Sequence, residues 1–135
     1  MGTTLTATRT ITGEDIAACG RLTGDLGSHH VSGLAGRQMA QGLLTVGVAP
    51  LFGRPGVHMS EVSLTFLAPV FADDTVTAVV EVTGAADIGD DQVALSCSVS
   101  VKNAEGAEVL RGTGVAQMSA QEANSEFGAL SVESR

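Results

Sequence analysis

Tryptophan and tyrosine are absent from this 135-residue chain, and four phenylalanines make up its aromatic content of 3%. A core of ordinary density must then come from Val, Leu, Ile, Ala and Met, within a hydrophobic fraction of 44%, and such a core suits sheets. Basic residues are also few. Seven Lys and Arg face fifteen Asp and Glu, the formal net charge is −8, and no basic run occurs. A phosphate backbone or an anionic membrane surface would meet net repulsion, which argues against nucleic acid and membrane as partners. Cys19 and Cys97 lie far apart in apolar patterns, with no neighbour in sequence that would stabilise a thiolate. They read as small buried hydrophobes with reduced thiols. The opening MGTTLTATRT lacks a basic start followed by an apolar stretch, so the expectation is a cytoplasmic protein.

What is present reads as one domain over 1–120 with a tail at 121–135. A chain this long buries roughly 65 to 70% of its unfolded surface without disulfides or metals. Residues 4–11, TLTATRTI, have the β-branched content of a first strand. Thr12, followed by Gly13, Glu14 and Asp15, predicts a capped helix from about Gly13 to Leu22. Ile16, Ala17 and Cys19 or Gly20 form its apolar face, and Gly24 is its expected stop. From Arg37 to Phe52, RQMAQGLLTVGVAPLF is apolar almost all round, which predicts a helix that must be surrounded. It is too short and too interrupted, by Gly42, Gly47 and Pro50, for a membrane span of about 20 residues.

After that the period changes to two. DTVTAVVEV and VALSCSVSV alternate as half-buried strands, and 57–67 and 108–118 behave similarly. DIGDD at 87–91 and NAEG at 103–106 are the turns between them. Beyond Met118 periodicity is lost and a frayed tail is expected, with Phe127 and Leu130 available to dock on a neighbouring subunit. The order is strand, short helix, polar loop, buried helix and four antiparallel strands: an α+β domain whose curved sheet of about five strands wraps one helix. The unpaired edge of such a sheet favours a homodimer.

The polar stretch RLTGDLGSHHVSG, residues 21–33, holds the residues with chemistry to offer. Asp25 after Gly24 is a turn former or a cap by default. In a loop, however, Asp25 and His30 can converge on one point, whereas on a regular helix they would diverge by more than about 90°. His29 and His30 as a metal pair would need further ligands, and there is neither H-x-x-x-H nor C-x-x-C, so no metal is expected. His58 reads as an exposed strand residue. Gly42 permits close backbone approach at the start of the buried helix, either to a ligand or to the sheet.

Taken together, TITGEDIAACGRLTGD at 10–25, Asp25 with His30 in a D-x4-H spacing, AQGLLTVG at 40–47, and FLAPVFADDTVTAVVEVT resemble the MaoC-like hydratases and dehydratases. That family includes the (R)-specific enoyl-CoA hydratases, and the resemblance spans roughly residues 5–118. It implies the hotdog fold. In place of the family's Asn and Pro the chain has Gly27 and Ser28, Gln41 stands where His is frequent, and Asp73 replaces a Gly before Asp74. The segment between His30 and Gly42 is also several residues shorter.

The resemblance implies a lyase that adds water to a trans-2-enoyl thioester to give an (R)-3-hydroxyacyl thioester, or the reverse. Such a reaction needs a base for the water, a proton source for Cα and a donor for the enolate oxygen. Asp25 and His30 supply the acid and base, and the backbone N–H of Gly42 supplies the donor. No resident cofactor is implied; the substrate is a coenzyme A or acyl-carrier-protein thioester. Arg37, Arg54 and Arg111 are the bases that could meet its phosphates, with scattered surface charge as the equal alternative. Two other activities fit the scaffold: a hotdog thioesterase, and a natural-product-pathway protein that binds or isomerises a thioester-linked intermediate.

Overall fold

In the computed structural model, which describes residues 3–25, 27, 30, 37–51, 55–127 and 133–134, the helix after the first strand begins where its cap predicts. The Thr12 hydroxyl accepts the N–H of Asp15 and the Asp15 carboxylate accepts the N–H of Thr12, a reciprocal capping box. β1 (Thr3–Thr10) thus gives way to α1 (Gly13–Thr23), which ends at Gly24 with φ 77°. That left-handed conformation is open to glycine without a Cβ penalty. Of the expected apolar face, Ile16 and Gly20 are buried.

There follow α2 (Gly42–Val46), β2 (His58–Phe66), β3 (Thr75–Gly89), β4 (Gln92–Asn103), β5 (Glu108–Ser119), α3 (Ala120–Phe127) and β6 (Glu133–Ser134). The five long strands form one antiparallel sheet in the order β1-β3-β4-β5-β2, and β6 lies parallel to β3 at Ala86 and Asp87. The β3–β4 hairpin turns on Asp90 and Asp91, with φ of 53° and 58°, as its right-handed strand twist requires. In the β4–β5 turn the Asn103 side chain accepts the N–H groups of Glu105 and Ala107, and Gly106 takes φ 84°.

Period two does what it predicts. Val80 faces Val99 and Val82 faces Cys97 on one side of the sheet, and Val101 faces Leu110. These residues and Ile16 share a single buried cluster. Among the described residues no helix is long and apolar enough to cross a membrane.

Two expectations change. The helix predicted over 37–52 is confined to Gly42–Val46. Upstream of it the chain is extended: Met39 bridges Phe71, the Ala40 N–H bonds the Val70 carbonyl at 2.7 Å, and the Ala72 N–H bonds the Gln38 carbonyl at 2.8 Å. Downstream, turns carry the chain to Pro50, which disfavours a helical residue before it, and Leu51 takes φ 85°. Apolar character all round is satisfied there by burial of Val46 at the end of the short helix and of Ala49 and Leu51 in the turns after it, not by a longer helix. The tail is the other change: from Ala120 it forms α3, which buries Ala123 and Phe127 in the chain's own core, so Phe127 is not available to a neighbour. Leu130 lies outside the described residues.

Candidate active site

α1 ends, the chain turns at Gly24, and Asp25 projects from that turn, its N–H bonded to the Thr23 hydroxyl at 3.2 Å. His30 is buried, and its N–H closes a turn onto the Gly27 carbonyl at 2.9 Å. Asp25 Oδ1 stands 3.4 Å from His30 Nε2. The convergence expected of a loop is therefore present. His29 lies outside the described residues, and His58 is exposed at the start of β2.

The imidazole is oriented from its other nitrogen. His30 Nδ1 is 2.7 Å from the Met39 carbonyl, which can only accept, so Nδ1 carries a proton and Nε2 is the nitrogen presented to Asp25. Met39 is fixed in turn by its bridge to Phe71. Beside that bridge the Arg37 guanidinium lies 4.3 Å from the Phe71 ring centre and pairs with Asp74 at 2.9 Å. Asp74 also accepts the Phe71 N–H. Asp73, standing where the related motif has Gly, takes φ 73°, a conformation that Asp tolerates.

Asp25, His30 and Gly42 line one cavity of about 720 Å³, together with Leu43, Thr45, Phe66 and Leu67 among others. Its walls are mainly apolar, as an acyl chain would require. Gly42 is the first residue of α2, whose N–H has no partner one turn back inside the helix. A Cβ built on Gly42 would overlap the Phe66 ring. The Phe66 contact bears out the packing reading of this glycine.

Sequence reasoning missed two residues. Gln41, noted only as standing where the related family often has His, is 1% exposed, and its Nε2 donates to the carbonyls of Ile16 at 2.9 Å and Asp25 at 3.3 Å. The one signal was a polar residue opening an apolar run, since a buried amide must find partners. Its Oε1 is buried with no hydrogen-bond partner among the described residues. Thr45 also lines the cavity, buried, with its hydroxyl donating to the Gln41 carbonyl at 3.3 Å.

Of the three arginines, Arg37 is committed to Asp74, Arg111 lies across the sheet from Leu110 beside Glu108, and Arg54 is outside the described residues. Among the described residues no group of three His, Cys, Asp or Glu could hold a metal ion.

No protein-family model and no curated protein matches the chain. Solved structures do. A monoamine oxidase regulatory protein from Archaeoglobus superposes with a TM-score of 0.73 at 26% identity, covering 88% of this chain and 90% of that one. An (R)-hydratase of A. caviae involved in PHA biosynthesis gives 0.70 at 24%, covering 85% and 93%. An (R)-hydratase of Pseudomonas aeruginosa gives 0.70 at 20%, covering 88% and 81%. A hypothetical thioesterase from Streptococcus pneumoniae matches the same scaffold at a TM-score of 0.55 and 15% identity. A MaoC-like dehydratase from Rhodospirillum rubrum is also among the matches. Sheet, helices and overlap together establish the resemblance expected from residues 5–118: the chain has the hotdog fold of the (R)-hydratases and MaoC-like dehydratases.

Proposed function

We propose that the protein is a hydratase or dehydratase interconverting a trans-2-enoyl thioester and an (R)-3-hydroxyacyl thioester, with Asp25 and His30 as its acid and base. The observation that carries this reading is the 3.4 Å approach of Asp25 Oδ1 to His30 Nε2 on the wall of a mainly apolar cavity that Gly42 also lines. A water held between the two side chains loses a proton to the pair as its oxygen bonds to Cβ. The double-bond electrons move onto the thioester oxygen, which the Gly42 N–H receives as a developing enolate. Return of a proton to Cα completes the addition, so that one water is consumed and the pair regains its starting state.

The substrate is a thioester of coenzyme A or of an acyl carrier protein, and no resident cofactor takes part. A cytoplasmic homodimer fits the same reading. Leu43 is 62% exposed and Phe66 56% exposed on the wall of the cavity, and β2 is one of the two terminal strands of the sheet. A second copy covering that edge would shield both side chains.

Mixing the protein with a short trans-2-enoyl-CoA tests the reaction. Conjugated-thioester absorbance should fall without release of free thiol, and Asp25→Asn should slow this by about 10²- to 10⁴-fold. Asp25 is half exposed, so its melting should change by no more than about 0.5 kcal/mol. Undiminished turnover in Asp25→Asn would remove Asp25 from the mechanism; thiol release with the double bond intact would mean a hydrolase.

A further inference from the structure

The loop that carries Asp25 and His30 has Gly27 and Ser28 in its middle, two residues with little side chain to hold it. Among the described residues, the segment 37–41 adds contacts that hold both members of the pair. Gln38 Nε2 donates to the His30 carbonyl at 2.6 Å, the Met39 carbonyl receives the His30 ring, and Gln41 Nε2 donates to the Asp25 carbonyl. Both glutamines therefore bind main chain, one at each member of the pair, and neither lines the cavity.

Gln41 shows why an amide is needed. Its two contacts are to carbonyls, which fixes the NH₂ end toward them and settles the orientation of the group. Oε1 is then left buried without a partner among the described residues. An unpaired buried acceptor is unfavourable, so packing alone would be better served by an apolar residue of similar length. The donor is the part that bears on Asp25: through the Ile16 and Asp25 carbonyls it ties the first half of α1 and the turn after that helix to the start of α2, where Gly42 follows directly. Gln38 does the equivalent for His30 while its own backbone pairs with Ala72.

We propose that Gln41 and Gln38 are positioning residues, whose side-chain amides set the separation of Asp25 and His30 by holding their main-chain carbonyls. This rests on the hydratase reading for its kinetic arm only. Methionine matches glutamine in length and removes the donor, so Gln41→Met and Gln38→Met are the variants. Each should lower kcat for the enoyl thioester by tens-fold, up to about 10²-fold, as a misplacement of about 1 Å does, with KM within twofold of the parent. Combined with Asp25→Asn, Gln41→Met should slow the residual rate less than twofold, because the group it positions is already disabled.

A second arm needs no turnover. In the full-length protein, carbonyl ¹³C signals of Asp25 and Ile16 should move in Gln41→Met and that of His30 in Gln38→Met, and the His30 ring signals should move in both. Unchanged kcat in both variants, or an equal loss in the Asp25→Asn background, overturns the proposal. So do His30 ring signals that stay in place. If the parent protein hydrates no enoyl thioester, the hydratase reading fails while the carbonyl and ring signals still decide the positioning role. Gln38 is only half-buried, so Gln38→Met keeps the test open should Gln41→Met not fold.

Discussion

Gly42→Ala puts a methyl group where the Phe66 ring lies, and what happens to that ring decides the outcome. Glycine to alanine in a helix is otherwise favourable by up to about 1 kcal/mol. Phe66 sits at the end of the edge strand with 56% of its surface exposed, so it can swing outward without parting the backbone. Swinging returns to water roughly 90 of the about 200 Å² that an aromatic side chain presents. At about 25 cal/mol per Å² that is about 2 kcal/mol, for a net loss of about 1 kcal/mol. Thermal melting should fall by about 4 °C. With Phe66→Ala the obstacle is gone, and Gly42→Ala should become neutral or stabilising, giving a coupling of about 2 kcal/mol in the double-mutant cycle. Strictly additive melts would refute the reasoning. Turnover by the same four proteins separates the two roles of Gly42, because alanine keeps the N–H. If the amide alone matters, the double variant matches Phe66→Ala; a further fall means that a carbonyl must approach the bare Cα.

Three further outcomes follow from local geometry. Thr12→Ala removes the acceptor for the Asp15 N–H and should cost about 1 kcal/mol by chemical denaturation. The Thr12 N–H holds the Asp15 carboxyl below the usual carboxylate range; partial burial opposes this, and the Thr12 hydroxyl and Arg9 reinforce it. Because the folded value is the lower one, the stabilisation is complete above the ordinary carboxylate range and is lost as pH falls through the folded value. The stability difference between the parent and Asp15→Asn should accordingly be flat near neutrality and shrink in acid. Burial pushes the Cys97 thiol up, opposed in part by a hydrogen bond with the Gly114 backbone, whereas Cys19 is half-buried. A mild thiol reagent should label Cys19 first, with Cys97 following only on unfolding; equal rates would contradict the buried placement.

Much of the fold was legible because its determinants are local. Thr12 with Asp15 declares a helix start, Gly24 its end, and alternation in β3 and β4 leaves one face to bury. The segment at 37–52 was not, since an apolar run has the same composition whether a helix or turns bury it. What kept the helix from starting before Gly42 was a partner distant in sequence, the 70–72 backbone, which draws Met39 and Ala40 into extended pairing. The tail misled in the opposite way: Ala123 and Phe127, four apart, are a helical pair too short to register as a period. At the site, the Asp25 and His30 spacing was readable because both are side chains with acid–base chemistry, and the structure brings them to one cavity. Gln41 touches main-chain carbonyls, and these have no signature in sequence.

The Met39 carbonyl that orients His30 belongs to a short ladder with Val70–Ala72, and Leu67–Val70 also wall the cavity. On the proposed hydratase reading, selectivity and catalysis therefore share a mechanical support. Enlarging the cavity by trimming Pro69 or Val70 would loosen the rung beneath the imidazole, so a redesign for longer acyl groups at these positions should lower kcat along with KM. Leu43 lines the same cavity from α2 and has no place in that ladder. It is the position at which acyl preference can be altered while the acid–base pair stays in register.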